Sequence, residues 1–275
     1  MSVVAVGPAL NLDGPLPERP LYSLLDVPGV VQDSGDARVF TGATLWGYPE
    51  EVPSLWDPCS TGTFRTKSEQ SSWSRPHFDA FSAYLPVVCS TISGDPRDLA
   101  RRAELVLEAT LPYAVERALA QGIPQSANPY FGDANLTVLG GGAVSPSVGL
   151  SYLEDAIGQT GREGLIHAPP SVVAAWGFEK LRTDGTSLRT SAGTLVSRGG
   201  GYIGADPINE VSPAAGQSYV FATGPVHVYL DEFVLTDVSD YVDPSTNTVI
   251  YRAEMMVLAV WDTALQAGVL IDWTP

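Results

Sequence analysis

The clearest periodic pattern in the chain lies between Asp95 and Gly122, where apolar residues recur at steps of three and four. Charged residues mostly fall between them, so the pattern predicts an amphipathic helix over residues 96–121 with one buried stripe. Asp95 suits the N-cap, Pro96 the first helical position, and Gly122 the end of the helix. The helix would be about 39 Å long, with a bend at Pro112. The predicted stripe contains Leu99, Ala103, Val106, Leu107, Leu111, Ala114, Val115, Ala118 and Leu119.

Short apolar segments alternate with helix-like segments in the second half of the chain. Strands are predicted where β-branched and aromatic residues cluster, and helices where apolar residues recur with a helical period. The predicted order is a strand at 136–142, a helix at 147–157, a strand at 164–168, a helix at 169–181, a polar hairpin at 182–194, and strands within 217–236 and 247–262. The first of these helices is expected to be capped by Ser147 and to bury Val148, Leu150, Leu153 and Ile157. This order is typical of an α+β fold with helices on a mixed or antiparallel sheet.

The first 35 residues show little periodicity and many prolines and glycines. Residues 1–35 are predicted to form an extended arm that lies on another surface, although a frayed terminus explains the same composition. Residues 36–73 contain short strand-like pieces interrupted by turns. Trp46, Trp56 and Trp73 are spread along these pieces. We expect these rings either to contact another subunit or to be buried inside an ordinary folded lobe.

The composition fits an ordered protein, because 44% of the residues are hydrophobic and 17% are charged. The 31 acidic and 15 basic residues give a formal net charge of −16, which argues against a nucleic-acid-binding surface. An acidic run formed by Asp231, Glu232 and residues 237–243 is predicted to be a solvated loop around a turn, with a divalent-cation site as the weaker alternative. The N-terminal residues contain neither a basic start nor a long apolar run. We therefore expect no signal peptide, no membrane span and a cytoplasmic origin.

Chemical motifs are sparse in this sequence. The glycine-rich segment 199–204 has GxGxxG spacing, but the residues after it do not predict the helix that a dinucleotide site requires. We interpret it as a turn where the backbone approaches another element closely. His77, His167 and His227 belong to no metal-binding or nucleophile motif, so each is expected to be a hydrogen-bonded core or interface histidine. We accordingly predict no catalytic residue, no cofactor and no metal.

The order of the elements resembles the tailed-bacteriophage major capsid protein family, whose fold is shared with encapsulin shells. The resemblance covers nearly the whole chain and is carried by short, diffuse motifs rather than signature residues. These are GLIHAPPSVVAAW, TSAGTLVSRGGGYIGA, GQSYVFATGPVHVYLDEFVLT and a closing NTVIYRAEMMVLAVWDTALQAGVLID that contains Arg252. It implies an N-terminal arm at 1–35, an extended β-hairpin loop at 36–80, a peripheral domain at 81–144 with the spine helix 96–121, an axial domain at 145–235, and closing strands at 236–275.

The resemblance implies a structural protein that self-assembles into hexamers and pentamers of an icosahedral shell. That shell would enclose double-stranded DNA without sequence-specific binding, form in the host cytoplasm and involve no membrane. Scaffolding, portal and decoration proteins are the implied partners. The expected inter-subunit contacts are Trp46, Trp56, Arg65, Lys67, Glu69, Trp73 and Arg75. An encapsulin-like compartment shell and a minor decoration or tail protein remain alternatives, and a hydrolase without a recognisable motif is the least favoured.

Overall fold

The computed structural model describes residues 15, 17–33, 36–45, 75–90, 96–243 and 248–274. Within them, three α-helices pack against a five-stranded sheet and a seven-stranded sheet, and a third sheet has two strands. The helices are α1 (Pro96–Gln121), α2 (Pro146–Thr160) and α3 (Pro170–Lys180). Short 3₁₀ turns lie at Leu24–Asp26, Ala37–Thr41 and Gly200–Tyr202. The α+β class predicted from the sequence is confirmed.

The described strands number fourteen, and several of the longest occur late in the chain. In chain order they are β1 (Val31–Gln32), β2 (Ala43–Thr44), β3 (His77–Phe78), β4 (Phe81–Ser90), β5 (Thr137–Val144), β6 (Leu165–Ala168), β7 (Leu181–Asp184), β8 (Ser187–Thr190), β9 (Leu195–Arg198), β10 (Gln217–Thr223), β11 (Val226–Leu230), β12 (Val234–Asp243), β13 (Thr248–Trp261) and β14 (Gln266–Asp272).

Helix α1 has the bounds that the sequence pattern predicts, and Pro112 lies inside it without ending it. Gly122 follows with a φ of 77°, which is the left-handed conformation that terminates helices. The buried stripe is confirmed at Ala103, Leu107 and Leu111 and continues through Val115 and Leu119. The stripe also contains a glutamate, Glu116, whose side chain is buried. The sequence interpretation did not expect a charged residue on this face.

The five-stranded sheet is built around the long strand β13. Strands β4, β11 and β12 pair antiparallel with β13, and β1 adds in parallel to β11. Alternate residues of β4 and β13, including Ala83, Ala253 and Val257, lie in one hydrophobic core together with the buried stripe of α1. Opposite positions such as Tyr84 and Arg252 are exposed.

The seven-stranded sheet has the order β5-β14-β10-β6-β9-β8-β7 and mixes parallel with antiparallel pairs. Its two faces belong to different cores, because side chains alternate along each strand. Tyr219 and Phe221 of β10 join the core that contains α1. Val220 and Ala222 of the same strand join a second core with α2 and α3. The sheet is therefore covered on both sides.

Two local predictions are wrong. Helix α2 begins at Pro146 with Ser145 at the N-cap, so Ser147 is not the cap. Val148 is also exposed, at 41%, although Leu150, Leu153 and Ile157 are buried as predicted. In the acidic run predicted as a loop, Asp231 and Glu232 do lie between β11 and β12, but residues 237–243 belong to β12, which extends to Asp243. These residues pair with β13, with a register shift between Asp237 and Val242. The pairing holds them in a strand although aspartate has a low β-propensity.

Candidate functional site

Three distant segments meet at the buried carboxylate of Glu116, which is 1% exposed. The backbone N–H of Leu24 donates to one carboxylate oxygen at 3.0 Å, and the backbone N–H of Gly201 donates to the other at 3.1 Å. Leu24 opens the first 3₁₀ turn, and Gly201 lies in the third. Glu116 therefore joins the N-terminal segment and the glycine-rich turn to helix α1. We refer to this arrangement as the Glu116 junction.

The glycine-rich turn is packed so closely on α1 that side chains do not fit. A Cβ atom at Gly199 would lie 2.1 Å from the Glu116 carboxylate, and one at Gly201 would lie 2.5 Å from the backbone N of Arg117 and the backbone O of Tyr113. This explains the glycines at these two positions without any phosphate ligand. The prediction that segment 199–204 is a close backbone approach is confirmed.

Burial is the main reason why the pKa of Glu116 is raised to about 7; the two backbone hydrogen bonds lower it and the nearby charge of Asp26 raises it by smaller amounts. Asp26 is itself paired with Arg19 at 2.6 Å. The Tyr202 hydroxyl has a pKa well above its usual value, because it is buried and because Glu116 is close. The junction thus contains a carboxyl group that changes charge near neutral pH.

A second buried polar chain runs from β9 to β10. The Ser197 Oγ lies 2.9 Å from the Tyr202 hydroxyl, which lies 3.1 Å from Nδ1 of His167. His167 Nε2 lies 2.9 Å from Thr223 Oγ1, and Thr223 donates to the carbonyl of Gly224. Because Thr223 uses its proton there, His167 donates from Nε2 and accepts at Nδ1. Burial lowers the pKa of His167 to about 3, so the ring is neutral. It is the hydrogen-bonded core histidine that the sequence predicts.

The other two histidines differ from His167 in their exposure. His77 is exposed and lies 3.1 Å from both Asp79 and Thr44, and His227 is half-buried in β11. In the described ranges, no group of three or more His, Cys, Asp or Glu side chains could hold a metal ion. Over the same ranges, no helix is both long and apolar enough to cross a bilayer.

An apolar groove with a basic rim lies between α3, β7 and β8, beside Tyr22. Its volume is about 540 Å³, and its apolar lining includes Val173, Ala174, Leu181 and Leu188. Phe178 stands at its edge with 98% of its surface exposed, directly after Gly177, whose φ of 64° interrupts the helix. Arg182 and Arg198 also line the groove. We call this surface the basic groove.

A short acidic loop, residues 206–211, lies near the C-terminal end of α1. Asp206 and Glu210 are exposed, and so are Ile208 at 46% and Val211 at 73%. The loop is fixed in place: the Ile208 N–H donates to the Gly132 carbonyl at 2.8 Å, and the Tyr219 hydroxyl donates to the Val211 carbonyl at 3.1 Å. We call this segment the acidic loop.

No protein-family model matches the sequence, and no curated protein matches it. Solved structures match over nearly its whole length. A chain of Mycobacterium phage Che8 has a TM-score of 0.54 at 12% identity, with 99% of each chain covered. The capsid of an empty GTA particle has a TM-score of 0.56 at 12% identity, covering 99% of this chain and 96% of that one. The holo-SrpI encapsulin complex from Synechococcus elongatus has a TM-score of 0.52 at 12% identity, covering 96% and 92%.

This chain has the major-capsid-type fold. Within that fold, α1 is the long helix that the resemblance implies as the spine. Of the residues predicted as inter-subunit contacts, the structure describes Arg75, which is exposed just before β3. The remaining six, Trp46, Trp56, Arg65, Lys67, Glu69 and Trp73, lie outside the described residues. Their role stays a prediction, as do the predicted domain boundaries.

Proposed function

We propose that this protein is a structural subunit, a major capsid protein, that self-assembles into the icosahedral head shell of a tailed phage. The observation that carries the proposal is a fold shared over almost the full length of the chain with the capsid of a GTA particle and with an encapsulin complex. A fold does not fix a function, but a match that leaves almost no part of either chain uncovered leaves little room for a separate catalytic module.

Exposed apolar side chains support an assembling protein. Besides the edge of the basic groove and the acidic loop, the exposed large hydrophobics include Tyr84 on β4, Tyr113 on α1 and Val234 on β12. Single exposed apolar residues are ordinary, but apolar clusters rimmed by charge mark interaction sites. Repeated weak contacts around closed symmetry add to a stable shell, so no single surface needs high affinity.

The net charge of −16 supports a shell that holds DNA without binding it. An acidic wall repels phosphates, so a packaged genome can slide along it during filling and ejection. The partners that we propose are other copies of this chain in hexamers and pentamers, with scaffolding, portal and decoration proteins. The inter-subunit contacts that we propose outside the described residues are those of the loop tryptophans and their charged neighbours.

The test is electron microscopy with sedimentation of the protein expressed alone and with its neighbouring genes. Closed particles, or rings of five or six subunits, are expected. A species that stays monomeric in both preparations would refute the proposal. Particles seen only when a different major shell protein is present would instead assign this chain to a minor virion role.

An encapsulin-like compartment shell is the second candidate, because the encapsulin complex matches this chain almost as well as the capsid structures do. The contents of purified particles separate the two. Nuclease-protected DNA of uniform length indicates a genome shell, whereas one enriched folded protein without DNA indicates a cargo compartment.

A further inference from the structure

The basic groove and the acidic loop are complementary in both charge and polarity. Four of the chain's 15 basic residues, Lys180, Arg182, Arg189 and Arg198, fall within 19 residues that contain one acid, Asp184. The acidic loop has two acids, two exposed aliphatic side chains and no base. Arg182 and Arg198 line the groove itself, and on a protein of net charge −16 two arginines beside an apolar hollow favour an acidic, apolar occupant.

The two surfaces lie too far apart in the fold to meet within one chain. The groove belongs to the β7 edge of the seven-stranded sheet and to the face covered by α2 and α3, since Val173 and Leu188 join that core. The loop leads towards β10, which three strands separate from β7, and packs on the face covered by α1, where Ala205 and Tyr219 are buried. A contact between different patches on two copies is heterologous, and repeating it by rotation closes a ring.

We propose that the acidic loop of one subunit docks into the basic groove of a second copy of this chain, with Glu210 and Asp206 facing Arg182 and Val211 or Ile208 entering the groove. The inference rests on the proposed shell function and names the surfaces that join neighbouring subunits. Arg182 is the exposed basic partner. Arg198 is partly committed already, because its guanidinium lies 5.6 Å above the ring of Tyr22 and donates to the Leu21 carbonyl.

Both surfaces are organised before they meet, which lowers the entropic cost of docking. The acidic loop is pinned by the Gly132 and Val211 carbonyl contacts, and Asp206 accepts a hydrogen bond from Ser212 at 2.9 Å. The groove has room for an aliphatic side chain, and the exposed Phe178 can close over it. Docking would therefore bury apolar surface that a lone subunit leaves in water.

The experiment uses paired charge reversals in the full-length protein, with the concentration threshold for assembly measured by sedimentation and electron microscopy. Arg182→Glu and Glu210→Arg are each expected to raise the threshold by at least about tenfold, because like charges would face each other. The double variant Arg182→Glu/Glu210→Arg is expected to return to within about threefold of wild type. Arg101→Glu and Glu163→Arg, exposed elsewhere, are the matched charge controls and should leave the threshold unchanged.

Mixing the two single variants gives a sharper result. Their mixture contains two attractive combinations. The unchanged loop of the Arg182→Glu subunit faces the unchanged groove of the Glu210→Arg subunit, and the reversed loop of the Glu210→Arg subunit faces the reversed groove of the Arg182→Glu subunit. Alternating subunits can therefore assemble, and the mixture is expected to have a lower assembly threshold in sedimentation than either single variant alone. As an apolar test, Val211→Asn should raise the threshold while Val148→Asn, at an exposed valine on α2, should not.

The outcomes separate this contact from the shell function itself. Wild-type particles with single variants that assemble normally would overturn the contact and leave the shell standing. Open oligomers that respond to the paired reversals, without any closed particle or ring of five or six subunits, would support the contact and overturn the shell. A loss of assembly that the double variant fails to repair would also overturn the contact, provided that thermal unfolding shows each variant folded.

Discussion

Replacing Glu116 by glutamine should change how the stability of the subunit depends on pH. In the folded protein the pKa of Glu116 is about 7, against 4.5 for a solvated glutamate. A carboxyl group with a raised pKa holds its proton more tightly when folded, so the folded state loses stability as pH rises from 4.5 through 7. Glutamine is nearly isosteric and carries no charge at any pH. The difference in unfolding free energy between wild type and Glu116→Gln isolates this one group.

The difference has a calculable size. A shift of 2.5 pKa units corresponds to about 3.4 kcal/mol in total, at 1.36 kcal/mol per unit, and about 2.5 kcal/mol of it falls between pH 5 and pH 8. Wild type should therefore lose about 2.5 kcal/mol relative to Glu116→Gln over that interval, and the difference should level off above pH 8. Glutamine also places an NH₂ group against one of the two backbone donors, which adds a constant cost that does not alter the slope.

The assay is urea unfolding of the unassembled subunit at pH 5, 6, 7 and 8, with Glu108→Gln on the exposed side of the same helix as the control. Comparing variants is necessary because His167 acts in the opposite direction. Its pKa is lowered to about 3 by burial, so its contribution is present above the ordinary pKa of 6.5 and is lost as pH falls below it. Both variants keep His167, so its effect cancels. A difference that stays constant, or that grows in favour of wild type as pH rises, would refute the assignment.

Three further predictions concern packing and assembly. Gly201→Ala places a methyl group 2.5 Å from backbone atoms of α1 and should lower the free energy of unfolding, measured in urea, by at least about 2 kcal/mol. The control Gly158→Ala lies in α2 with no atom near the added methyl group, so it should stabilise the subunit by up to about 1 kcal/mol. Equal effects of the two variants would contradict the close approach. Tyr202→Phe removes the hydroxyl that hydrogen-bonds Ser197 and His167, and it should lower the free energy of unfolding by about 1–3 kcal/mol, more than Tyr219→Phe does. The reverse order in thermal unfolding would argue against this buried hydrogen-bond network. Trp56→Ala should reduce the yield of particles while circular dichroism shows a folded subunit. An equal loss of particle yield and of folded structure would make Trp56 an ordinary core residue.

The sequence predicts best where the determining contacts are local. Helix α1 is bounded by its own residues, so its ends at Pro96 and Gln121 could be predicted. The N-cap of α2 is less certain from sequence because serines occur on both sides of Pro146, and the pattern of apolar residues alone favours Ser147 over Ser145. The proline at the first helical position is the signal that selects Ser145.

The Glu116 junction could not be predicted because its partners are 92 and 85 residues away in sequence. A usable signal does exist. Glu116 follows Val115 and precedes Leu119 by three, so it falls on the apolar stripe, where an acid needs a partner. The glycine-rich segment predicts a close backbone approach, but its sequence does not indicate that α1 is the partner. The contact residues in the extended loop lack any motif, so they stay predictions.

The position of β14 determines when the seven-stranded sheet can be completed during synthesis of the chain. Strand β14 lies between β5 and β10 and pairs with both, although β5 precedes it by more than 120 residues. A nascent chain has no seven-stranded sheet until residue 272 has left the exit tunnel, because β5 has no other partner in that sheet. The complete sheet therefore forms only after its last strand has been made, and a chain interrupted before β14 would expose unpaired strand edges.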